Sequence, residues 1–193
     1  LAGVDLRLGG LERGIEFERL LTRGSALLMR SGDGELDAAI ETVLGTTGSF
    51  CGVDRAYVFR FDEAAGTQSN THEWVAPGIS REAANLQDIP LDAFPWLLER
   101  LRGDHVVCHA SLDTLPVEAH TERAEFEREG IRSILIVPLW SADRLRGFVG
   151  FDAVNARIDW EDACVVGLRL LAQMLAGALD ARATSAMLRH RAM

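Results

Sequence analysis

The chain has 193 residues, 48% hydrophobic and 25% charged, a balance that suits a globular domain with enough length to bury a core. Its formal net charge is −9, and all 20 basic residues are arginines. Without lysine there can be no Walker phosphate loop, Schiff-base lysine or kinase-type catalytic lysine. An acidic chain with no basic stripe also lacks the main source of nucleic-acid affinity.

No uncharged stretch approaches the roughly 20 residues needed to cross a bilayer, and no basic start followed by an apolar run marks a secretory signal. No membrane contact is therefore expected. The three cysteines, Cys51, Cys108 and Cys164, are odd in number and widely spaced. That pattern fits a reducing cytoplasm better than a disulfide framework or a zinc ribbon.

Residues 1–15 read as an N-terminal extension or linker. Glu16 to Arg30 is an amphipathic helix with Phe17, Leu20, Leu21, Leu27 and Leu28 on one face; Gly24 shares that face and leaves room for a close helix approach. After the turn at Ser31–Gly34, a second helix carries Leu36, Ile40, Val43, Leu44 and Phe50 and ends near Gly52. The period then changes. Ala56–Phe61 alternates Tyr57, Phe59 and Phe61 on one face, and across a turn at Asp62–Gly66 the segment Gln68–Val75 returns as its hairpin partner. A connection through Pro90 leads to a short helix over about Asp92–Arg102, with Asp92 as its cap and Pro95 in its first turn.

His105–His109 is a short strand. Thr114–Glu129 is a polar surface helix that starts at Pro116 and stops at Gly130. Ser133–Trp140 is the most apolar run, and Arg144–Asp152 pairs with it in a second hairpin. Helices should therefore flank the sheet on both faces, and Pro138 should force a local irregularity. Asp159 resembles an N-cap for the last helix, whose apolar face is Leu168, Leu171, Leu175, Ala178 and Leu179. The order of elements calls for an α+β domain built on a mainly antiparallel sheet.

The segments GVDRAYVFRFDE, SNTHEW, NLQDIPLDAFPWLLERLRGD, EREGIRSILIVPLW, RLRGFVGFD and DWEDACVVGLRLLAQMLAGALDAR, in this order and spacing, resemble GAF domains found beside bacterial histidine kinase and diguanylate cyclase output domains. The resemblance implies a domain over residues 16–185, with 186–193 starting a C-terminal linker helix. It also implies a GAF-like antiparallel sheet of five to six strands in the order 2-1-5-4-3, with helices on both faces. The terminal helices would pack on one face, and short helices and loops would roof a ligand pocket on the other. The expected function is regulatory rather than enzymatic: a cytoplasmic two-component sensor that binds an unidentified small molecule and passes the signal through its terminal helices. A homodimer through the first and last helices is expected, with no cofactor and no metal.

Candidate pocket residues are Tyr57, Thr71, Glu73, Phe94, Trp96, Leu97, Cys108, Ile134 and Phe148. Phe94, Trp96 and Leu97 could meet an apolar ligand or plug the pocket as core. Thr71 and Glu73 share a strand face that a one-residue slip would reverse. On a strand, His105 and His109 point to the face opposite Cys108, which argues against a joint metal site and leaves exposed histidines around a buried cysteine. Two rival readings are a structural dimerisation module with a filled pocket and a haem- or bilin-bearing sensor. A redox enzyme using Cys108 is a third. Glu122, Glu125 and Glu129 read as a solvated helix face, without paired acids in an apolar setting.

Overall fold

The computed structural model describes residues 2–191, with side-chain surroundings from residue 10 to residue 189. Five helices and six strands follow one another. The helices are α1 (Ala2–Arg30), α2 (Leu36–Cys51), α3 (Pro95–Arg102), α4 (His120–Arg128) and α5 (Asp162–Arg191). The strands are β1 (Arg55–Asp62), β2 (Thr67–Val75), β3 (Ile89–Pro90), β4 (Val107–His109), β5 (Ser133–Ser141) and β6 (Arg144–Ala153).

All strand pairs are antiparallel, in the order β3-β2-β1-β6-β5-β4. Leaving out β3, a two-residue edge strand on β2, the order is the expected 2-1-5-4-3. Alternation splits the sheet into two faces. Val58, Leu135, Val137, Val149 and Phe151 look toward α1, α2 and α5 and join Ile40, Leu44, Leu168, Leu171 and Leu175 in the larger core. Tyr57, Phe59, Ile134, Ile136 and Phe148 look the other way, under α3, α4 and the connecting turns.

Two glycines set the spacing of the helical layer. A Cβ on Gly24 would come 3.1 Å from Val43, and one on Gly167 would lie 1.6 Å from the Phe17 ring. α5 is long and apolar enough to cross a membrane by length and composition, yet Leu168, Leu171, Leu175 and Leu179 on it are buried in the core.

Several boundaries differ from those expected. α1 begins at Ala2, so residues 2–15 continue the helix predicted from Glu16; Leu1, Ala192 and Met193 lie outside the described residues. α3 begins at Pro95 behind Phe94, and Asp92 sits in a preceding 3-10 turn instead of capping it. α5 starts at Asp162, so Asp159 is not its cap. The chain before it is held to the sheet, with Ile158 N–H donating to Ser133 Oγ and Trp160 Nε1–H to the His109 carbonyl. The irregularity expected at Pro138 falls next to it, between Leu139 and Trp140.

Candidate ligand cavity

The two-residue period that puts Tyr57 and Phe59 on the inner face also puts Arg55 there. On β6 it does the same for Phe148 and Asp152. Arg55 and Asp152 are cross-strand partners, as are Tyr57 and Gly150. A Cβ on Gly150 would lie 2.5 Å from the Tyr57 ring, so this glycine lets the ring cross the sheet and deliver its hydroxyl to Asp152. Tyr57 O–H donates to Asp152 Oδ1 at 2.8 Å.

Under the roof of α3, α4 and the turn after β2 lies a cavity of about 30 Å³, room for roughly two water molecules. One end is apolar, with Phe59, Phe94, Leu97, Phe126, Ile136 and Phe148. The other is polar, with Arg55, Glu73, Glu125, Glu129 and Asp152, while Asn70 stands beside Phe59 by register, at the apolar end. Phe59 and Phe148 stack with centroids 4.6 Å apart, and Tyr57 meets Phe148 edge-on.

The polar end is buried and highly charged. Arg55 is 1% exposed. Its Nε donates to the Ser80 carbonyl, and its Nη2 to Ser80 Oγ and the Glu129 carbonyl. Its Nη1 has no hydrogen-bond partner and lies 3.8 Å from Glu129 Oε2. Glu73 accepts from the N–H groups of Glu82 and Ala83 and so ties the roof to β2. Burial pushes the Asp152 carboxyl up to about 7, against the opposing pull of the Tyr57 hydrogen bond and the Arg55 charge. Burial, together with the charges of Asp152 and Glu125, pushes Glu129 up as well. The side-chain oxygen of Asn70, in a residue 3% exposed, has no partner.

Of the expected pocket residues, Tyr57, Glu73, Phe94, Leu97 and Phe148 line this cavity. Trp96 and Ile134 belong to the surrounding core, with Trp96 6.2 Å from His109 between ring centroids. Thr71 and Cys108 do not belong to it. A bulge separates Val58↔His72 from Phe59↔Asn70 and leaves Thr71 as the extra residue. Thr71 is exposed, with its hydroxyl on the Val58 carbonyl, and it shares no face with Glu73. The bulge instead turns both Asn70 and Glu73 inward. Cys108 is exposed because Val107, not Cys108, fills the buried position on β4. His109 is half-buried, its Nδ1 2.7 Å from Thr114 Oγ1.

The solvated face expected for Glu122, Glu125 and Glu129 is likewise overturned, because positions three or four apart on α4 turn toward the sheet. Glu122 is fully buried and accepts the Leu97 N–H in the first turn of α3 at 3.0 Å. Glu125 and Glu129 reach the cavity wall. Paired acids in a low-dielectric setting are therefore present.

The missed residues had a usable signal. Extending the alternation outward reaches Arg55 one step from Tyr57 and Asp152 two steps from Phe148. The unpartnered Asn70 became visible only with the bulge.

The sheet, its roof and its helical back define a known architecture. The GAF domain family profile matches residues 35–179, and the chain belongs to that family. The methanogenesis regulatory histidine kinase FilI of Methanothrix harundinacea (strain 6Ac) is 31% identical over 184 residues, covering 90% of this chain. The chain spans about a fifth of that kinase's length, 20%. Among solved structures, the phycocyanobilin-bound GAF domain of a cyanobacterial phytochrome superposes with a TM-score of 0.72 at 19% identity, covering 88% of this chain and 96% of that one. The chromophore-binding domain of the Stigmatella aurantiaca bacteriophytochrome gives 0.69 at 16% identity, covering 87% of this chain and 61% of the other. At these identities the likeness is one of fold.

Proposed function

We propose that this chain is the regulatory, non-catalytic sensory domain of a cytoplasmic signalling protein. Occupancy of the cavity changes the disposition of α1 and α5, and these helices pass the change to an output domain, a histidine kinase or a cyclic-di-nucleotide enzyme. The observation that carries this reading is a cavity on one face of the sheet with unmatched polar groups inside, opposite a face covered by the terminal helices. Pairing of two copies through those helices belongs to the same proposal. It is supported by exposed Leu11 and Ile15 on α1 and Val166 and Leu170 on α5, a row of large apolar groups facing water. A ligand shifts such a system only through different affinity for two helix arrangements.

Native mass spectrometry of the purified chain tests both parts, because it reports stoichiometry and any small molecule carried through purification. A strict monomer with no bound mass, and no thermal stabilisation across a metabolite panel, would sink the reading.

One observation favours a second reading, a structural module with a filled pocket: the cavity is about 30 Å³, whereas ordinary ligand sites run to roughly 300–1,000 Å³. The same closure bears on the bilins named for the structural neighbours. A tetrapyrrole does not fit between the stacked rings of Phe59 and Phe148 and the roof, and Cys108 faces away from the space. These residues do not fit that group.

A further inference from the structure

Cys51 is the last residue of α2, and Cys164 sits in the first turn of α5. Two residues of α1 draw these helix ends together. The Phe17 ring stacks on Phe50, next to Cys51, with centroids 4.7 Å apart, and it fills the space beside Gly167, one turn after Cys164. Arg13 lies over the same Phe50 ring at 5.2 Å and pairs at 3.3 Å with Glu161, whose carbonyl accepts the Cys164 N–H. Both cysteines are free and buried in the core behind the sheet, Cys51 at 9% exposure and Cys164 at 3%. Their thiols share a hydrogen bond. The third cysteine, Cys108, is exposed on the edge strand β4.

The two helix ends act differently on a thiol. The first turn of a helix presents unpaired N–H groups and favours a thiolate, whereas the last turn presents carbonyls and opposes one. The hydrogen bond from Cys51 holds the Cys164 thiol below its ordinary range, and the same bond, with burial, keeps the proton on Cys51. We infer that Cys51 and Cys164 form a reversible disulfide that fastens the end of α2 to the start of α5, with a hydroperoxide as the oxidant. The Cys164 thiolate attacks one peroxide oxygen and the O–O bond breaks. The leaving hydroxide takes up the proton that Cys164 had released and departs as water. The Cys51 sulfur then attacks the Cys164 sulfenic acid: the S–S bond forms, the S–O bond breaks, and the Cys51 proton leaves with the hydroxyl as a second water. Two electrons pass from the sulfurs to the peroxide, and a thiol reductant reverses the change. Burial of both sulfurs restricts the site to a small oxidant. The pair lies on the face of the sheet opposite the cavity, so this inference goes beyond ligand sensing and does not depend on it.

Hydrogen peroxide treatment of the full chain carrying Cys108→Ser tests the pair. Mass spectrometry should show the loss of two hydrogens, a cross-linked peptide joining Cys51 to Cys164, and no thiol left to label after unfolding; dithiothreitol should restore both thiols. The folded chain should close about tenfold or more faster than the chain unfolded in urea, because the fold holds the sulfurs together. Cys51→Ala should halt at a Cys164 sulfenic acid that dimedone traps, and Cys164→Ala should consume peroxide about tenfold or more slowly. Hydrogen exchange in the first turns of α5 should slow once the bond has formed. Sulfinic or sulfonic acids on separate cysteines without a cross-link, or closure no faster in the folded chain, would overturn the assignment. Dimedone trapping at Cys51 in place of Cys164 would overturn the assigned nucleophile. A cross-link that leaves exchange in α5 unchanged would overturn the fastening of that helix.

Discussion

The Nε2 atom of His72 lies 2.9 Å from Asp37 Oδ1, which links the strand carrying the cavity wall to the first turn of α2. The same carboxylate oxygen takes Arg182 of α5, and the other ring nitrogen of His72 meets Thr71 Oγ1 at 2.8 Å. Hydrogen bonds from His72 and then Arg182 hold the Asp37 carboxyl below its ordinary range. Its contribution to stability is therefore present above about 3.8 and is lost as pH falls through the lower, folded-state value. Because the Asp37 side chain is 64% exposed, Asp37→Ala should cost no more than about 1 kcal/mol. His72 is 5% exposed, and His72→Ala should cost more, about 2 kcal/mol. A double-mutant cycle in urea checks the pair; strictly additive losses would show that the contact is idle.

The acids of the cavity work in the opposite direction. Burial pushes the Asp152 carboxyl up to about 7 from 3.8 and Glu129 up to about 9 from 4.5, so the folded chain binds more protons than the unfolded chain and stability falls as pH rises across that window. Glu129→Gln should flatten this slope. The expected gain is on the order of 1–2 kcal/mol at pH 8, with little change at pH 4. Urea midpoints at the two pH values decide it.

Two glycines of α5 make a matched pair. A Cβ at Gly167 would enter the Phe17 ring, and Gly167→Ala should cost about 1–3 kcal/mol by forcing α1 away. A Cβ at Gly177 meets nothing within 4 Å, so Gly177→Ala should stabilise the helix by about 0.5–1 kcal/mol. Guanidinium midpoints for both variants should move in opposite directions.

Replacing Val166 and Leu170 together by arginine is expected to yield a monomer in sedimentation while the circular dichroism spectrum stays native, since these side chains are 58% and 44% exposed. An unchanged sedimentation coefficient from an associated species would place the association elsewhere.

Much of this fold was legible because burial and period agree. Alternation of Tyr57 with Phe59, the apolar run Ser133–Trp140 and the helical spacing of Leu168, Leu171 and Leu175 each report a face that one core then covers. What was not legible came from exceptions to local rules. An acidic helix such as α4 normally faces water, and its inward carboxyls are held by a backbone N–H for Glu122 and by the guanidinium groups of Arg55 and Arg128 for Glu129. The three-residue strand β4 is too short to show which side is buried until β5 fixes its register. The bulge on β2 carries no glycine to announce it.

Because Thr71 is supernumerary, β2 speaks to both layers from adjacent positions: Asn70 and Glu73 look into the hollow, while His72 and Trp74 press on α2, the indole lying where a Cβ on Gly45 would fall. Excising that one residue would restore strict two-beat alternation. Asn70 would then stand two positions before Glu73 and still look with it into the hollow, His72 would keep its place against the rods behind, and the strand would lose only the Thr71 hydroxyl that lies between the His72 ring and the Val58 carbonyl.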